Sequence, residues 1–224
     1  MTALAELLRG RRLVLLDFDG PICAVFSGIP DHAAAGELVD VIGTVPTEVA
    51  TSTDPFDILR YVAESRPDIA EQVEQRFTEI ETKAVGSARP TADASEFITE
   101  AARTPGMKVA VASNNSVQAI GAYLDAYGLR SYVSGIFART SADPSILKPA
   151  PRLLLDPLDT FDCSPDDAIF VGDSTTDVQA GNAAGVRTIA FANRPEKTIR
   201  FAPFRPAATI TRMAELRQAL KQHV

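Results

Sequence analysis

The sequence predicts an α/β protein: a Rossmann-like parallel sheet flanked by helices and interrupted by a small helical insertion. Three observations lead there. Short, unbroken apolar runs recur along the chain and end at polar or acidic residues, as strands buried on both faces do. Between them lie segments whose apolar residues fall at helical spacing, and strands alternating with helices build a parallel sheet. From about residue 28 to 90 the alternation stops and only helical patterns remain.

In chain order, the first strand is the LVLL run between Arg12 and Asp17. The next runs are MKVAVAS (107–113), YVSGIFA (132–138), DAIFVGD (167–173) and VRTIAFA (186–192). Val117, Ile120, Leu124 and Tyr127 repeat at three and four and predict a helix, and a proline-led helix carries Leu153 to Leu158. Within the insertion, Asp54 followed by Pro55 starts a helix with Phe56, Leu59 and Val62 on one face. Pro67 opens another, whose stripe Ile69, Val73, Phe77, Ile80, Ala84 is a packing surface. Gly86 to Pro90 reads as a return linker, and 193–206, with three prolines, as a surface excursion before a strand near 208–211 and a last helix. The expected division is a catalytic core of 1–27 and 91–224 and a helical insertion of 28–90.

Composition narrows the function. The 224 residues are 46% hydrophobic and 23% charged, which suits a folded soluble chain, and the net charge of -7 without a Lys/Arg run argues against nucleic acid. Cys23 and Cys163 are too few for a disulfide framework, so a reducing, cytoplasmic setting is expected. With His32 and His223 as the sole histidines, neither a zinc site of several imidazoles nor an ordinary histidine triad is well served. The amino-terminal segment sets its positive charges after the apolar residues and includes Glu6, the reverse of a signal peptide, and no apolar stretch is long enough to span a membrane.

Four features stand at strand ends, where open parallel sheets bind ligands. Asp17-Phe18-Asp19-Gly20 sends two carboxylates off one strand, although a loop acid plus a helix cap reads the same way. Ser113, with Asn114 and Asn115, precedes a helix and offers a hydroxyl and backbone amides to an anion, or a plain N-cap. Lys148 lies in LKPAP, and a single lysine is ordinarily solvated surface. Asp173 and Asp177 in GDSTTD suit a hard cation with oxygen ligands, or a capped helix start.

Taken together and in this order, acid pair, hydroxyl, lysine, acid pair, the four resemble the haloacid dehalogenase-like hydrolase superfamily over about 11–215. The insertion is similar to that family's C1 cap, which closes over the site. The resemblance implies that Asp17 is the nucleophile and Asp19 the general acid and base of a phosphatase, phosphoglycolate phosphatase-like, working through an aspartyl-phosphate. It implies that Asp17, Asp173 and the carbonyl of Asp19 hold Mg²⁺, that Asp177 supports those ligands from behind, and that Ser113, Asn114 and Lys148 hold the phosphoryl group. A small phosphorylated metabolite is the expected partner, for a monomer or homodimer.

The chain departs from the family in having Pro21 where a threonine is common, which removes a hydroxyl and an N–H beside the acid pair. Cys23 lies close by but reads as a small buried side chain. Asp19 argues against a dehalogenase, since halide needs no proton; a phosphomutase or a silent binding protein stay open as alternatives. Arg60, Arg66, Arg76, Arg89 and His32 are the residues of the insertion that could choose the substrate, each also readable as solvated surface.

Overall fold

A computed structural model describes residues 2–222. The chain opens with helix α1 (Ala3–Leu8), enters strand β1 (Leu13–Leu16) and makes the two-residue strand β2 (Cys23–Ala24). Helices α2 (Asp31–Ile42), α3 (Thr47–Ala50), α4 (Pro55–Ser65) and α5 (Ala70–Val85) follow, and β3 (Arg89–Pro90) returns antiparallel to β2. Then come α6 (Ala94–Arg103), β4 (Lys108–Ser116), α7 (Val117–Ala126), β5 (Gly135–Arg139) and α8 (Arg152–Thr160). The chain finishes with β6 (Ala168–Gly172), α9 (Thr175–Ala184), β7 (Arg187–Phe191), α10 (Pro195–Phe201), β8 (Ala208–Ile210) and α11 (Met213–Lys221).

Six strands form one sheet in the order β5-β4-β1-β6-β7-β8, with every pairing parallel. The apolar runs explain this. Val14 and Leu16, Val109 and Val111, Ile169 and Val171 face one layer of helices, and Leu13, Leu15, Ala110, Ala112, Ala168 and Phe170 face the other. The first face packs on α1, α6, α7 and α11, and the second on α8 and α9, so period-2 alternation within all-apolar runs buries both sides. The chain builds outward from β1 on one side, then returns to build on the other, which makes β1 the switch point where such sheets open a crevice. Leu16 lies level with Val111 and Val171, and this register brings Asp17, Ser113 and Asp173 to the same edge.

Helices α2, α4 and α5 share a separate apolar cluster that includes Leu38, Ile58, Val62, Val73, Phe77 and Ile80. Asp54 caps α4 as its sequence predicts, accepting from the Phe56 N–H at 2.9 Å, with Pro55 at the first helical position. Pro67 opens a short 3₁₀ turn rather than the helix itself, and α5 starts at Ala70. The predicted stripe serves two cores: Ile69, partly buried ahead of α5, packs with Val73, Phe77 and Ile80 in the insertion, while Ala84, with Val85 beside it, joins the cluster against the sheet.

Elsewhere the structure corrects boundaries. Strand β4 runs on to Ser116 and does not end at Ser113; α7 begins at Val117, the first residue of its predicted repeat, and Ser116, not Ser113, is its N-cap. Strand β5 starts at Gly135, because 130–132 forms a 3₁₀ turn. The stretch read as a surface excursion contains α10, which buries Phe201 against Val178 and Ala190.

A polar cluster ties α5 to the sheet. Arg139, at the end of β5, is fully buried and ion-paired to Glu74 and, at 2.5 Å, to the fully buried Glu81; its guanidinium also lies 4.6 Å from the Phe77 ring centroid. Removing one partner of a buried pair strands the other charge. Arg139→Met should therefore lose about 3–5 kcal/mol in equilibrium urea unfolding. A loss below about 1 kcal/mol, the level of a surface ion pair, would contradict this account of the junction.

Candidate active site

Asp17 follows the last residue of β1 and is held at the edge by its N–H, which donates to the Val171 carbonyl at 2.9 Å. Its Oδ1 accepts from the Phe18 N–H at 2.8 Å. The chain then turns sharply: Gly20 has φ +97, its N–H donates to the Cys23 carbonyl at 2.7 Å, and β2 folds back beside the acids. Asp19 Oδ1 accepts from the Val25 N–H at 2.9 Å, so the flap orients the second carboxylate. Glycine is needed at 20 on two counts, since a Cβ there would stand 2.2 Å from Asp173 Cγ and the backbone is left-handed. Pro21 does not open this turn; Thr91, from the returning side of the insertion, donates its hydroxyl to the Gly20 carbonyl at 2.6 Å. Cys23 is buried, and burial pushes its thiol far above the usual range, as expected of an inert side chain.

The β6–α9 turn carries the second acid pair. Ser174 caps α9, and Asp177 Oδ2 accepts from the N–H of Asp173 at 3.0 Å, the N–H of Ser174 at 2.9 Å and the Ser174 hydroxyl at 2.7 Å. This leaves Asp177 Oδ1 directed at Lys148, 2.6 Å from Nζ. Asp173 is ion-paired to Lys197 of α10, with the Asn193 side-chain amide 3.4 Å from the same oxygen. Carboxylate oxygens of Asp17, Asp173 and Asp177 all lie within 4.8 Å of one another.

Lys148 is buried, not the solvated surface residue a lone lysine suggests. Its Nζ stands 2.8 Å from Asp17 Oδ1, donates to the Ala112 carbonyl at 3.1 Å and lies 5.3 Å from the Phe170 ring centroid. Burial works to lower its pKa, but the charges of Asp17 and Asp177 outweigh this and raise it, so the ammonium form persists. Burial, and then the charge of Asp177, raise Asp17 to about 8 in spite of Lys148. Burial likewise raises Asp173, against the opposing pull of Lys197. Crowded acids of this kind call for another positive charge, and three converging carboxylates are the oxygen donors a hard divalent cation takes.

Ser113 is buried at the same edge; its hydroxyl accepts from the Asn115 N–H at 3.3 Å and lies 3.2 Å from Asn115 Oδ1. The Asn114 side chain is committed to the Lys148 backbone: Oδ1 accepts from its N–H at 2.8 Å, and Nδ2 donates to its carbonyl at 3.2 Å. Any anion contact of Asn114 therefore falls to its main chain. Glu81 fixes this loop from the insertion, accepting from Asn115 Nδ2 and from the Ser116 N–H, each at 2.9 Å, while Arg139 Nε donates to the Asn114 carbonyl at 3.2 Å.

A cavity of about 210 Å³ gathers Asp17, Asp19, Ser113, Asn114, Lys148, Asp173 and Asp177, all seven residues the sequence nominated, and α4 adds Asp54, Phe56 and Arg60. Of the other candidates in the insertion, Arg66 and Arg76 pair with surface carboxylates, and Arg89 and His32 are exposed outside this cavity. Glu81, Arg139 and Lys197 were not singled out from sequence. Glu81 is one acid among several on a charged helix, Arg139 merely ends an apolar run, and Lys197 sits in the stretch taken for a surface excursion.

The sequence pattern of the haloacid dehalogenase-like hydrolases matches residues 46–191, more than half of the chain. The chain belongs to this family. The match begins downstream of Asp17 and Asp19, so the acid pair stands on its motif and geometry. A phosphoglycolate phosphatase of Psychrobacter arcticus is 24% identical over 80% of this chain and 82% of its own length. One from Aquifex aeolicus is 32% identical over 41% of this chain and 42% of its own. Among solved structures, CbbY from Rhodobacter sphaeroides, crystallised with phosphate, has the same fold, with a TM-score of 0.70, 22% identity, and coverage of 94% of this chain and 99% of its own. The protein is thus a hydrolase of the haloacid dehalogenase-like family, and among its described residues no helix is long and apolar enough to cross a membrane.

Gly20→Ala tests the close approach of the two acid loops. Its methyl must displace Asp173, which Lys197 holds in place, so hydrolase activity should fall at least about a hundredfold, while unfolding stability drops by only about 1–2 kcal/mol from the left-handed backbone. Activity within about threefold of the parent would show that Asp173 need not stay where it is.

Proposed function

We propose that the protein is a Mg²⁺-dependent phosphatase of a small phosphorylated metabolite, phosphoglycolate-like, acting through an aspartyl-phosphate on Asp17. The observation that carries this is the buried Asp17–Lys148 contact at 2.8 Å, on the wall of a cavity that also receives Asp19, Asp173 and Ser113. The two phosphoglycolate phosphatase relatives support the substrate class.

In this reading Asp17 attacks phosphorus, the ester P–O bond breaks, and Asp19 gives its proton to the leaving oxygen. Asp19 then takes a proton from water, whose oxygen attacks the acyl phosphate, and inorganic phosphate leaves with Asp17 restored. Lys148 and the Ser113 hydroxyl stabilise the phosphoryl oxygens as charge develops, and Asp177 keeps Lys148 turned toward them. Asp17 and Asp173, with the carbonyl of Asp19, would hold a divalent cation, which when bound offsets the repulsion between anionic ester and carboxylate, while Asp177, committed to Lys148 and the α9 cap, supports the site from behind. Residues 28–90 act as a cap: Phe56 and Arg60 line the cavity over the acids and help exclude water.

Asp17→Asn keeps the shape and removes the nucleophile, so release of phosphate from an aryl phosphate should fall at least about a thousandfold. Retention of more than about a tenth of the activity in Mg²⁺-replete buffer would sink the assignment. Exhaustive chelation should abolish turnover and Mg²⁺ should restore it, whereas Ca²⁺, which accepts more oxygens and can engage both oxygens of the nucleophile, should inhibit. Full activity in the chelated protein would contradict the metal requirement.

A further inference from the structure

A second cavity, of about 420 Å³, opens beside the first and shares Asp19 and Asp173 with it. Its outer wall is basic, formed by Arg194, Lys197 and Arg200 on and just before α10. Lys197 is spent on Asp173, but Arg194 and Arg200 are exposed and their guanidinium groups have no ion pair or hydrogen bond among the described residues. Arg60, the arginine of the first cavity, is by contrast paired to Asp57 at 2.7 Å. Arg194 also has no capping duty, since its side chain makes no cap hydrogen bond to α10. Two uncommitted guanidinium groups therefore line a cavity next to a site crowded with carboxylates, in a chain of net charge -7.

The direction of the substrate follows from Asp19. If Asp19 protonates the leaving oxygen, that oxygen lies beside it, and the rest of the leaving group can extend into the cavity Asp19 also lines. We propose that Arg194 and Arg200 form a subsite for a second anionic group, so that the substrate is a small phosphate ester carrying a carboxylate or a second phosphate on its leaving-group side. This rests on the phosphatase reading above. Guanidinium forks bind either anion through paired hydrogen bonds, and at the mouth of an acidic site they also raise the local concentration of a doubly charged ester. Asp54 also lines this cavity, its Oδ1 held by the Phe56 N–H at 2.9 Å.

The test compares the parent with Arg194→Ala/Arg200→Ala on three esters: 2-phosphoglycolate, a pentose bisphosphate, and ethyl phosphate, which has no second charge. The double variant should lose at least about tenfold in kcat/KM on whichever charged ester the parent prefers, and stay within about twofold on ethyl phosphate. The Arg194→Lys/Arg200→Lys variant should recover part of the loss. The preferred ester tells carboxylate from phosphate. Equal losses on all three esters, or no loss on any, would overturn the subsite. If the parent hydrolyses none of them, nor 4-nitrophenyl phosphate, the phosphatase reading fails by itself. Calorimetric binding of 2-phosphoglycolate and the bisphosphate then decides the subsite separately: weaker binding of either by the double variant supports it, and unchanged affinity for both overturns it.

Discussion

The site depends on one buried ammonium group. Lys148 Nζ stands 2.8 Å from Asp17 and 2.6 Å from Asp177, in a place where carboxylates would otherwise repel one another without water to screen them. Each contact is prepared by the chain. Asn114 clamps the Lys148 backbone, Ala112 and Phe170 receive the ammonium, and the α9 cap turns one Asp177 oxygen inward while satisfying the other. Strand register, helix capping and a buried lysine thus combine to hold acids within 4.8 Å of one another. In the proposed mechanism that arrangement keeps a nucleophilic carboxylate, a positive charge for phosphoryl oxygens and donors for a divalent cation in one small space.

Helix α5 couples the insertion to this site. It contributes to the apolar cluster of the insertion through Val73, Phe77 and Ile80, and to the main core through Ala84 and Val85. Its Glu81 holds Asn115 and Ser116, and the pair it makes with Arg139 reaches the Asn114 carbonyl. Excising 28–90 would strip Arg139 of both carboxylates and Asn115 and Ser116 of Glu81, so the proposed cap is part of the scaffold of the 113–116 segment as well as its cover. Point changes at Phe56 or Arg60 separate these two roles better than deletion does.

Much of this was legible in the sequence because it depends on local pattern. Unbroken apolar runs identified the principal sheet strands, and the strand-end rule for parallel sheets drew attention to Asp17, Asp19, Ser113, Asp173 and Asp177, whereas Lys148 was nominated only through the resemblance of the four motifs taken in order. What escaped depends on contacts between distant segments. The end of β4 was misjudged because Ser113, Asn114 and Asn115 favour caps, while pairing with β5 carries the strand on to Ser116. Glu81 and Arg139 are 58 residues apart, and their charge gives no sign that both are fully buried. Lys197 was hidden by the prolines around it, which end helices but also start them, as Pro195 does at the first turn of α10.

The account turns on Asp17 acting as a covalent nucleophile and not as a metal ligand alone. Acid-quenching the enzyme during turnover, followed by peptide mass spectrometry, tests this directly. A phosphoryl group should appear on the peptide containing Asp17, removable by hydroxylamine as an acyl phosphate is. Hydrolysis that proceeds with no phosphorylated enzyme, or with the phosphoryl group on Ser113, would contradict the mechanism.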